Sequence, residues 1–160
     1  MYTAGRISHH ADSIRGLDRH PWSCILLPRS GIILVVPPMD QIVEYDITEQ
    51  RSRFFAAAVP VTTLGEVKQE LSRRKRKYHK ARHHCWACRV RDEDGQLVEQ
   101  ARDDGEVGHP GMKLLELLRA RDLEGLLVVS RIFGGIKLGP GGVGRAFRTA
   151  GLGVLDDDRP

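Results

Sequence analysis

Two histidines and two cysteines stand close together in the run Arg82-His83-His84-Cys85-Trp86-Ala87-Cys88. A Cys-x-x-Cys pair beside histidines is typical of zinc sites, which hold both sulfurs on a turn. This run instead has the pattern of a β-strand, in which neighbouring side chains point to opposite faces. Cys85 would share a face with His83, and Cys88 would share the other face with His84. We therefore expect no metal site, and no Cys85 nucleophile either, because no carboxylate is spaced to orient a histidine base.

Three carboxylates lie within the run Arg102-Asp103-Asp104-Gly105-Glu106. Their oxygens are suited to magnesium. They are equally suited to cap the helix that follows, since acids favour helix N-termini, or to pair with arginines. No other part of a phosphoryl-transfer site accompanies them, so the structural roles are favoured.

A glycine-rich stretch follows, in which Gly139, Gly141 and Gly144 match G-x-G-x-x-G between a strand and a helix. We expect no dinucleotide site, because that site needs a further strand with an acidic residue about 20 positions on, and the 160 residues end before it. A Walker loop would need Gly-Lys-Ser/Thr, which this stretch lacks. Two interpretations stay open. The turn and helix N-terminus receive an anion with help from Arg145 and Arg148, or the glycines let helix and strand pack closely.

Positive charge is concentrated in one run, which has no acidic residue between Glu70 and Asp92. Such a block attracts polyanions by releasing their counterions, whereas the alternative is a solvated helix face. Together with two arginines further along the chain, it predicts a nucleic-acid-binding surface. The nine predicted residues are Arg73, Arg74, Lys75, Arg76, Lys77, Lys80, Arg82, Arg145 and Arg148.

The elements that must position these groups alternate between strand and helix patterns. Thr63 with Glu66 predicts a capping box at the start of the first helix. The apolar run 126–133 predicts a central, buried strand. The predicted strands are 53–61, 83–91, 96–101 and 126–133, and the predicted helices are 64–78, 112–121 and 143–154. This order predicts an α+β fold, a two-layer α/β sandwich with a mixed four-stranded sheet and helices on one face.

Composition and apolar patterning limit which class of protein this can be and how it is divided into domains. Hydrophobic residues make up 41% of the chain and the net charge is +4. The longest apolar stretches, 24–27 and 31–36, are too short to cross a bilayer, and the first 20 residues lack the apolar core of a secretion signal. Three cysteines are an odd number, which favours free thiols in the cytoplasm. We predict three parts: a flexible tail plus short β-hairpin at 1–46, a main domain at 47–155, and an acidic tail at 156–160.

Four pieces of the chain, taken in order over about 110 residues, resemble the IMPACT family, named for a eukaryotic translation regulator with bacterial and archaeal relatives. Any one piece is a weak signal, but four in order are specific. Gly142 and Arg145 within 141–146 also fit. The pieces are Arg51-Ser52-Arg53-Phe54; Ala81-Arg82-His83-His84-Cys85; Asp103-Asp104-Gly105-Glu106; and the stretch 128–139, which contains Arg131, Gly134, Gly135 and Gly139.

The resemblance implies a fold like the second domain of a small-subunit ribosomal protein and domain IV of elongation factor G. It implies no established catalytic activity. Eukaryotic members dampen a stress kinase that phosphorylates an initiation factor, by competing for its ribosome-bound activator, and bacterial members are suspected of binding nucleic acid or ribosomes.

Three features depart from the family pattern. The first 46 residues are too few for the N-terminal RWD domain of eukaryotic members. The ferredoxin-like C-terminal domain of bacterial members is not in this sequence. Residues 107–111 replace the Gly-Thr-Ala-Gly run of many bacterial members.

We expect a cytoplasmic, translation-linked regulatory protein of the stress response. It would bind RNA or the ribosome through its basic surface, without catalysis, cofactor or membrane. One alternative is a protein-interaction module that binds a protein partner through the open sheet face. The other is an enzyme acting on a phosphorylated ligand with the glycine turn and the carboxylates 103–106. A shared fold does not by itself distinguish between these three functions.

Overall fold

A computed structural model of the chain describes residue 39 and residues 41–155. The predicted hairpin, most of the segment 1–46 that contains it, and the acidic tail 156–160 lie outside the described residues. Five strands and three helices follow in the order β1 (Val43–Glu49), β2 (Ser52–Val59), α1 (Leu64–Lys77), β3 (His83–Arg91), β4 (Leu97–Arg102), α2 (Pro110–Ala120), β5 (Gly125–Ile132) and α3 (Gly139–Leu155).

The strands form one sheet in the order β1-β2-β5-β3-β4, and every neighbouring pair is antiparallel. The predicted α+β class is confirmed, but the predicted mixed, four-stranded sheet is wrong: the sheet has five antiparallel strands. The missed strand is β1, which crosses the predicted boundary between residues 46 and 47. Its apolar residues Val43, Tyr45 and Ile47 alternate with polar ones, the signature of a half-buried strand.

β5 lies at the centre of the sheet and is buried on both faces, as its apolar run predicts. Leu127 and Val129 face a core that α2 and α3 cover. In that core the rings of Phe54 and Phe147 meet edge to face, with their centroids 5.2 Å apart. Leu126 and Val128 face a second, smaller core on the other side of the sheet.

α1 covers that second core, so the prediction that all helices lie on one face is wrong. Val67 of α1 packs there with Val59, Cys88 and Val128. Periodicity shows that Val67 faces inward, but it does not show which face of the sheet its helix covers. The sheet face that was expected to be open for a partner is therefore partly covered.

Local signals place the helix starts well, apart from the start of α3. The predicted capping box is present, because Glu66 N donates to Thr63 Oγ1 at 3.2 Å and Thr63 N donates to Glu66 Oε2 at 3.2 Å. α3 starts at Gly139, four residues before the predicted start. Pro140 has no N–H group, but it fits in the first turn of a helix because the N–H groups there have no intrahelical acceptor. Within the described residues, no helix is long and apolar enough to span a bilayer.

We predict that Val67→Ala lowers the free energy of unfolding by about 2 kcal/mol, because it removes two buried methyl groups from the α1 core. Urea unfolding followed by circular dichroism measures this. Lys68→Ala, at the neighbouring exposed position, should change stability little. Equal effects of the two substitutions would contradict the packing of α1 on the sheet.

Candidate functional site

The four motif pieces meet at one end of the sheet, where β1, β4 and β5 finish and β2 and β3 begin. Arg131 of β5 pairs with Phe54 on one side and His83 on the other. Arg102, at the end of β4, pairs with Trp86 of β3. We call this end, with the loops 103–109 and 133–138, the motif end.

A buried ion pair lies at the centre of the motif end. Arg131 Nη1 donates to Glu106 Oε2 at 2.7 Å, and the two side chains are only 8% and 5% exposed. Arg131 Nη2 also donates to Ser52 Oγ at 3.5 Å, and the same hydroxyl accepts from Gly134 N at 3.2 Å. The Nε atom of Arg131 is buried without a partner among the described residues. The pair therefore joins the loop after β4 to the end of β5 at a substantial desolvation cost.

The other two carboxylates also brace the backbone. Asp103 Oδ1 accepts from Gly111 N, the second residue of α2, at 2.8 Å. Asp104 Oδ2 accepts from His84 N at 2.9 Å. Both structural interpretations of the acidic run, helix capping and arginine pairing, are thus confirmed. Within residues 39 and 41–155, no group of three or more His, Cys, Asp or Glu side chains is placed to hold a metal ion.

The two cysteines of this region lie on opposite faces of the sheet, as strand alternation predicts. Cys85 packs in the α2–α3 core and its Sγ donates to Asp103 O at 3.1 Å, whereas Cys88 packs in the α1 core. Burial raises the pKa of the Cys85 thiol well above its usual range, and the carboxylates of Glu106 and Asp103 raise it further. Burial also raises the pKa of Cys88. The two sulfurs cannot converge on one ion, and neither thiol is disposed to ionise.

His84 is held on the α1 side of the sheet. Its Nδ1 lies 2.8 Å from the hydroxyl of Ser130, which is fully buried. Burial lowers the pKa of His84; the carboxylate of Asp104 opposes this change, and the charges of Lys75 and Arg74 reinforce it.

The glycine-rich stretch allows close packing at the start of α3. A Cβ atom on Gly108 would lie 2.2 Å from the carbonyl oxygen of Pro140, and one on Gly144 would lie 2.5 Å from Lys113 Cε. The loop before α2 and the first turns of α3 therefore touch through glycines. The close packing expected here was between helix and strand, whereas these contacts join α3 to the preceding loop and to α2. Binding of an anion by this turn stays a prediction.

Backbone strain is concentrated at the motif end. Five described residues other than glycine have positive φ, and four of them lie here: Gln50, Arg51, Asp104 and His109. The pair Gln50 and Arg51 forms the tight turn between β1 and β2, a position that usually carries glycine or asparagine. Strained residues persist where the surroundings hold them in place, and they cluster at functional sites.

Three of the nine predicted nucleic-acid-binding cations have acidic partners. Arg74 is buried, and its Nη1 lies 2.5 Å from Glu44 Oε1. Lys77 Nζ donates to the same carboxylate at 2.7 Å. Arg73 Nη1 lies 3.5 Å from Glu70 Oε2.

The other six predicted cations are exposed but divided between the two faces of the sheet. Arg145 and Arg148 belong to α3, which packs on the opposite face from α1. Arg145 lines a groove with Glu49 and Gln50 on that side. The prediction that the nine residues form one surface is therefore wrong. Lys75, Arg76, Lys80 and Arg82 remain together on the α1 side, without an ion pair to any described residue.

The loops of the motif end contribute three further cations that are not among the nine predicted residues. Arg51 is in the β1–β2 turn, Arg102 ends β4 and Lys137 follows β5. Lys80 and Arg82 lie at the same end of the sheet, in the loop that leads into β3, which one sequence does not reveal. We call these five residues the rim cations; each is exposed and has no ion pair within the described part of the chain.

Comparison with known proteins gives consistent matches. The family model described as the Impact N-terminal domain matches residues 50–155. The chain is 38% identical over 106 residues to the IMPACT family member YvyE of Bacillus subtilis (strain 168), covering 65% of this chain and 48% of YvyE. It is 40% identical over 110 residues to Protein IMPACT of Oryctolagus cuniculus, covering 66% of this chain and 33% of that protein.

A solved structure shares the fold. The crystal structure of a hypothetical protein matches with a TM-score of 0.67 and 27% identity, covering 72% of this chain and 57% of that chain. In the sequence comparisons, the chain spans about half of the length of YvyE and a third of the length of Protein IMPACT.

We predict that Glu106→Gln lowers the free energy of unfolding by about 3–5 kcal/mol, because it leaves the Arg131 charge buried without a counter-charge. Adding Arg131→Met should restore part of this loss. Denaturant unfolding of the single and double variants measures both effects.

Asp46→Asn is the control, because it removes an exposed ion pair between Asp46, whose side chain is 57% exposed, and Arg53, whose side chain is 55% exposed. This substitution should lower the free energy of unfolding by less than about 1 kcal/mol. A Glu106 variant as mild as this control would mean that the buried pair is not stabilising.

We predict that stability falls as the pH drops below 6.5, the ordinary pKa of histidine, because unfolded His84 then gains a proton that the folded side chain resists. The stability that neutral His84 contributes is present above that pH and is lost as the pH falls through its lowered pKa. His84→Asn should flatten the slope by at most about 1.4 kcal/mol per pH unit, measured by urea unfolding at a series of pH values. His79→Asn, at an exposed position, is the control. If the free energy of unfolding changed with pH as steeply in His84→Asn as in the unmodified protein, His84 would not be the source of this pH dependence.

Proposed function

The chain belongs to the Impact N-terminal domain family, and from that premise we propose that it is a translation-linked regulatory protein that binds RNA or the ribosome. The proposal joins the family likeness to the charge distribution of the motif end. A role on the ribosome would take place in the cytoplasm.

The observation that carries the proposal is the contrast between free cations and occupied acids at the motif end. The five rim cations are exposed and have no ion pair to any described residue. The carboxylates nearby are engaged: Glu106 binds Arg131, Asp103 binds Gly111 N, and Asp104 binds His84 N. Asp103 and Asp104 keep their negative charge, because backbone N–H donors are neutral, and Glu49 is also exposed at this end. Five rim cations against these three carboxylates leave a net positive charge, which suits a polyanion held through its phosphates.

Lys75 and Arg76 extend this charge along α1. Both are exposed, and Lys75 is close enough to lower the pKa of His84 at the start of β3. A phosphate backbone that follows the α1 side would meet these two cations before the rim.

Binding without catalysis fits the chemistry of the site better than an enzyme does. Cys85 is fully buried, and its raised thiol pKa opposes formation of a thiolate nucleophile. The carboxylates that a phosphoryl-transfer site would present to magnesium instead hold backbone groups and Arg131.

We predict that the pair Lys80→Glu and Arg82→Glu weakens binding of single-stranded RNA by at least roughly tenfold, because two phosphate contacts are lost. The slope of the logarithm of affinity against the logarithm of salt concentration should shrink by roughly 1.4, about 0.7 for each contact. Fluorescence anisotropy with a labelled oligoribonucleotide at several salt concentrations measures both quantities.

A matched control separates position from total charge. Lys68→Glu with Arg148→Glu also takes the formal net charge from +4 to 0, since each reversal subtracts two. Both residues are exposed, but Lys68 is in the first half of α1 and Arg148 is on α3. This pair should weaken binding much less. Equal losses in the two pairs would show that only overall charge matters, and the proposal for the motif end would fail.

A further inference from the structure

The motif end exposes apolar side chains above its buried charges. Seven large hydrophobic residues are exposed in the described part of the chain. Four of them lie in the loops of the motif end or in the first turn of α2: Val107 at 50%, Met112 at 44%, Phe133 at 50% and Ile136 at 39%. Arg131 and Glu106, beneath them, are buried. Of the four, only Phe133 is shown against these buried charges, so it is the residue to consider as a contact.

Phe133 is the aromatic member of this group, and it follows β5 directly. β5 ends at Ile132, which pairs with Arg53 of β2. The guanidinium carbon of Arg131 lies 5.5 Å from the centroid of the Phe133 ring, while half of the Phe133 side chain remains exposed. The ring therefore rests on a charged group from inside and faces solvent outside.

The support beneath the ring is rigid. Arg131 is held by Glu106 at 2.7 Å and lies 5.5 Å from the ring centroid of Phe54, a fully buried residue. The loop after the ring is fixed at Gly134, whose N–H donates to Ser52 Oγ and whose backbone packs against that of Arg51. An aromatic ring held in advance of binding loses little conformational entropy when it makes contact.

Three of the rim cations belong to segments that adjoin Phe133. Because His83 pairs with Arg131, Arg82 lies at the level of the last residue of β5, next to Phe133. Lys137 follows Phe133 in the same loop, and Arg51 lies against Gly134. An exposed aromatic ring with cations on adjoining segments is an arrangement by which proteins bind single-stranded nucleic acid: bases stack on the ring and phosphates pair with the cations.

We propose that Phe133 is a stacking platform for an unpaired base of single-stranded RNA, whose phosphates the rim cations hold. This inference rests on the proposed function and narrows its ligand from RNA in general to unpaired strands. The positive rim favours RNA over an apolar protein partner, since its cations would need compensating acids on that partner. Duplex RNA hides the faces of its bases in the helix, so it would gain little from the ring.

The test compares Phe133→Ala and Phe133→Trp on two probes, a single strand of about ten nucleotides that contains 2-aminopurine, and the same strand annealed to its complement. Phe133→Ala should weaken single-strand binding about tenfold, the loss expected for one base–aromatic stack, and should abolish quenching of the 2-aminopurine fluorescence. Its affinity for the duplex should stay unchanged. Phe133→Trp should keep single-strand affinity and quenching, because its ring also stacks.

Leu97→Ala is the matched control. Leu97 is 39% exposed and begins β4, at the opposite end of the sheet. The Leu97→Ala variant should bind both probes like the unmodified protein. Circular dichroism should show that Phe133→Ala, Phe133→Trp and Leu97→Ala are all folded.

Each other outcome has a definite meaning. Unchanged single-strand binding by Phe133→Ala, or equal losses on both probes, would overturn the stacking role. If the charge reversals Lys80→Glu and Arg82→Glu still weakened RNA binding, the proposed function would stand without the stacking role of Phe133. A surface that binds protein would give unchanged RNA affinity in every Phe133 variant, which also overturns the inference. If the unmodified protein bound neither probe in a salt-dependent way, the proposed function would fail, and the stacking role with it.

Discussion

One buried ion pair, between Arg131 and Glu106, constrains the whole motif end. Both side chains are less than one tenth exposed, and they join the end of β5 to the loop after β4. Two charges removed from water are tolerated only when each finds its partner and further hydrogen bonds, and Ser52 supplies one of these. If either charge were lost, the other would be stranded beside the rings of Phe54 and Phe133. The positions of the two loops therefore depend on this contact.

This constraint separates two sets of residues that lie close together in the sequence. The motif residues with the most reactive side chains, Cys85, His84 and the carboxylates, are occupied with holding the backbone. Several residues that face solvent at this end are apolar or cationic, among them Phe133 and Arg82. In the proposed function, the histidine, cysteine and aspartate residues of the motif therefore support the binding surface, and other motif residues such as Arg82 and Phe133 make the contacts. The strained turn at Arg51 belongs to the same support, since its backbone packs on Gly134.

Sequence reasoning succeeded where the signal is local and failed where it depends on distant contacts. β3 was predicted residue for residue, and the capping box of Thr63 and Glu66 is present, because alternation and capping involve neighbours. The face of the sheet that α1 covers was predicted wrongly, since an apolar stripe shows only that a helix packs on something. The basic run was taken as free charge, although Arg74 and Lys77 bind Glu44, some thirty positions away. Phe133 was predicted to end the buried strand 126–133, which is wrong for this residue: β5 ends at Ile132 and Phe133 is 50% exposed. Where a buried strand emerges into a loop depends on distant contacts that leave no pattern in the sequence.

The central claim is that the motif end is the surface that receives RNA, and mapping the contact by nuclear magnetic resonance tests it most directly. A single-stranded oligoribonucleotide would be titrated into the isotope-labelled protein while the backbone amide shifts are recorded. The account predicts the largest shifts at 133–137, at Lys80 and Arg82, and at Val107. Shifts concentrated at the opposite end of the sheet, around the β3–β4 turn at 92–95, or shifts spread evenly over the surface, would contradict it.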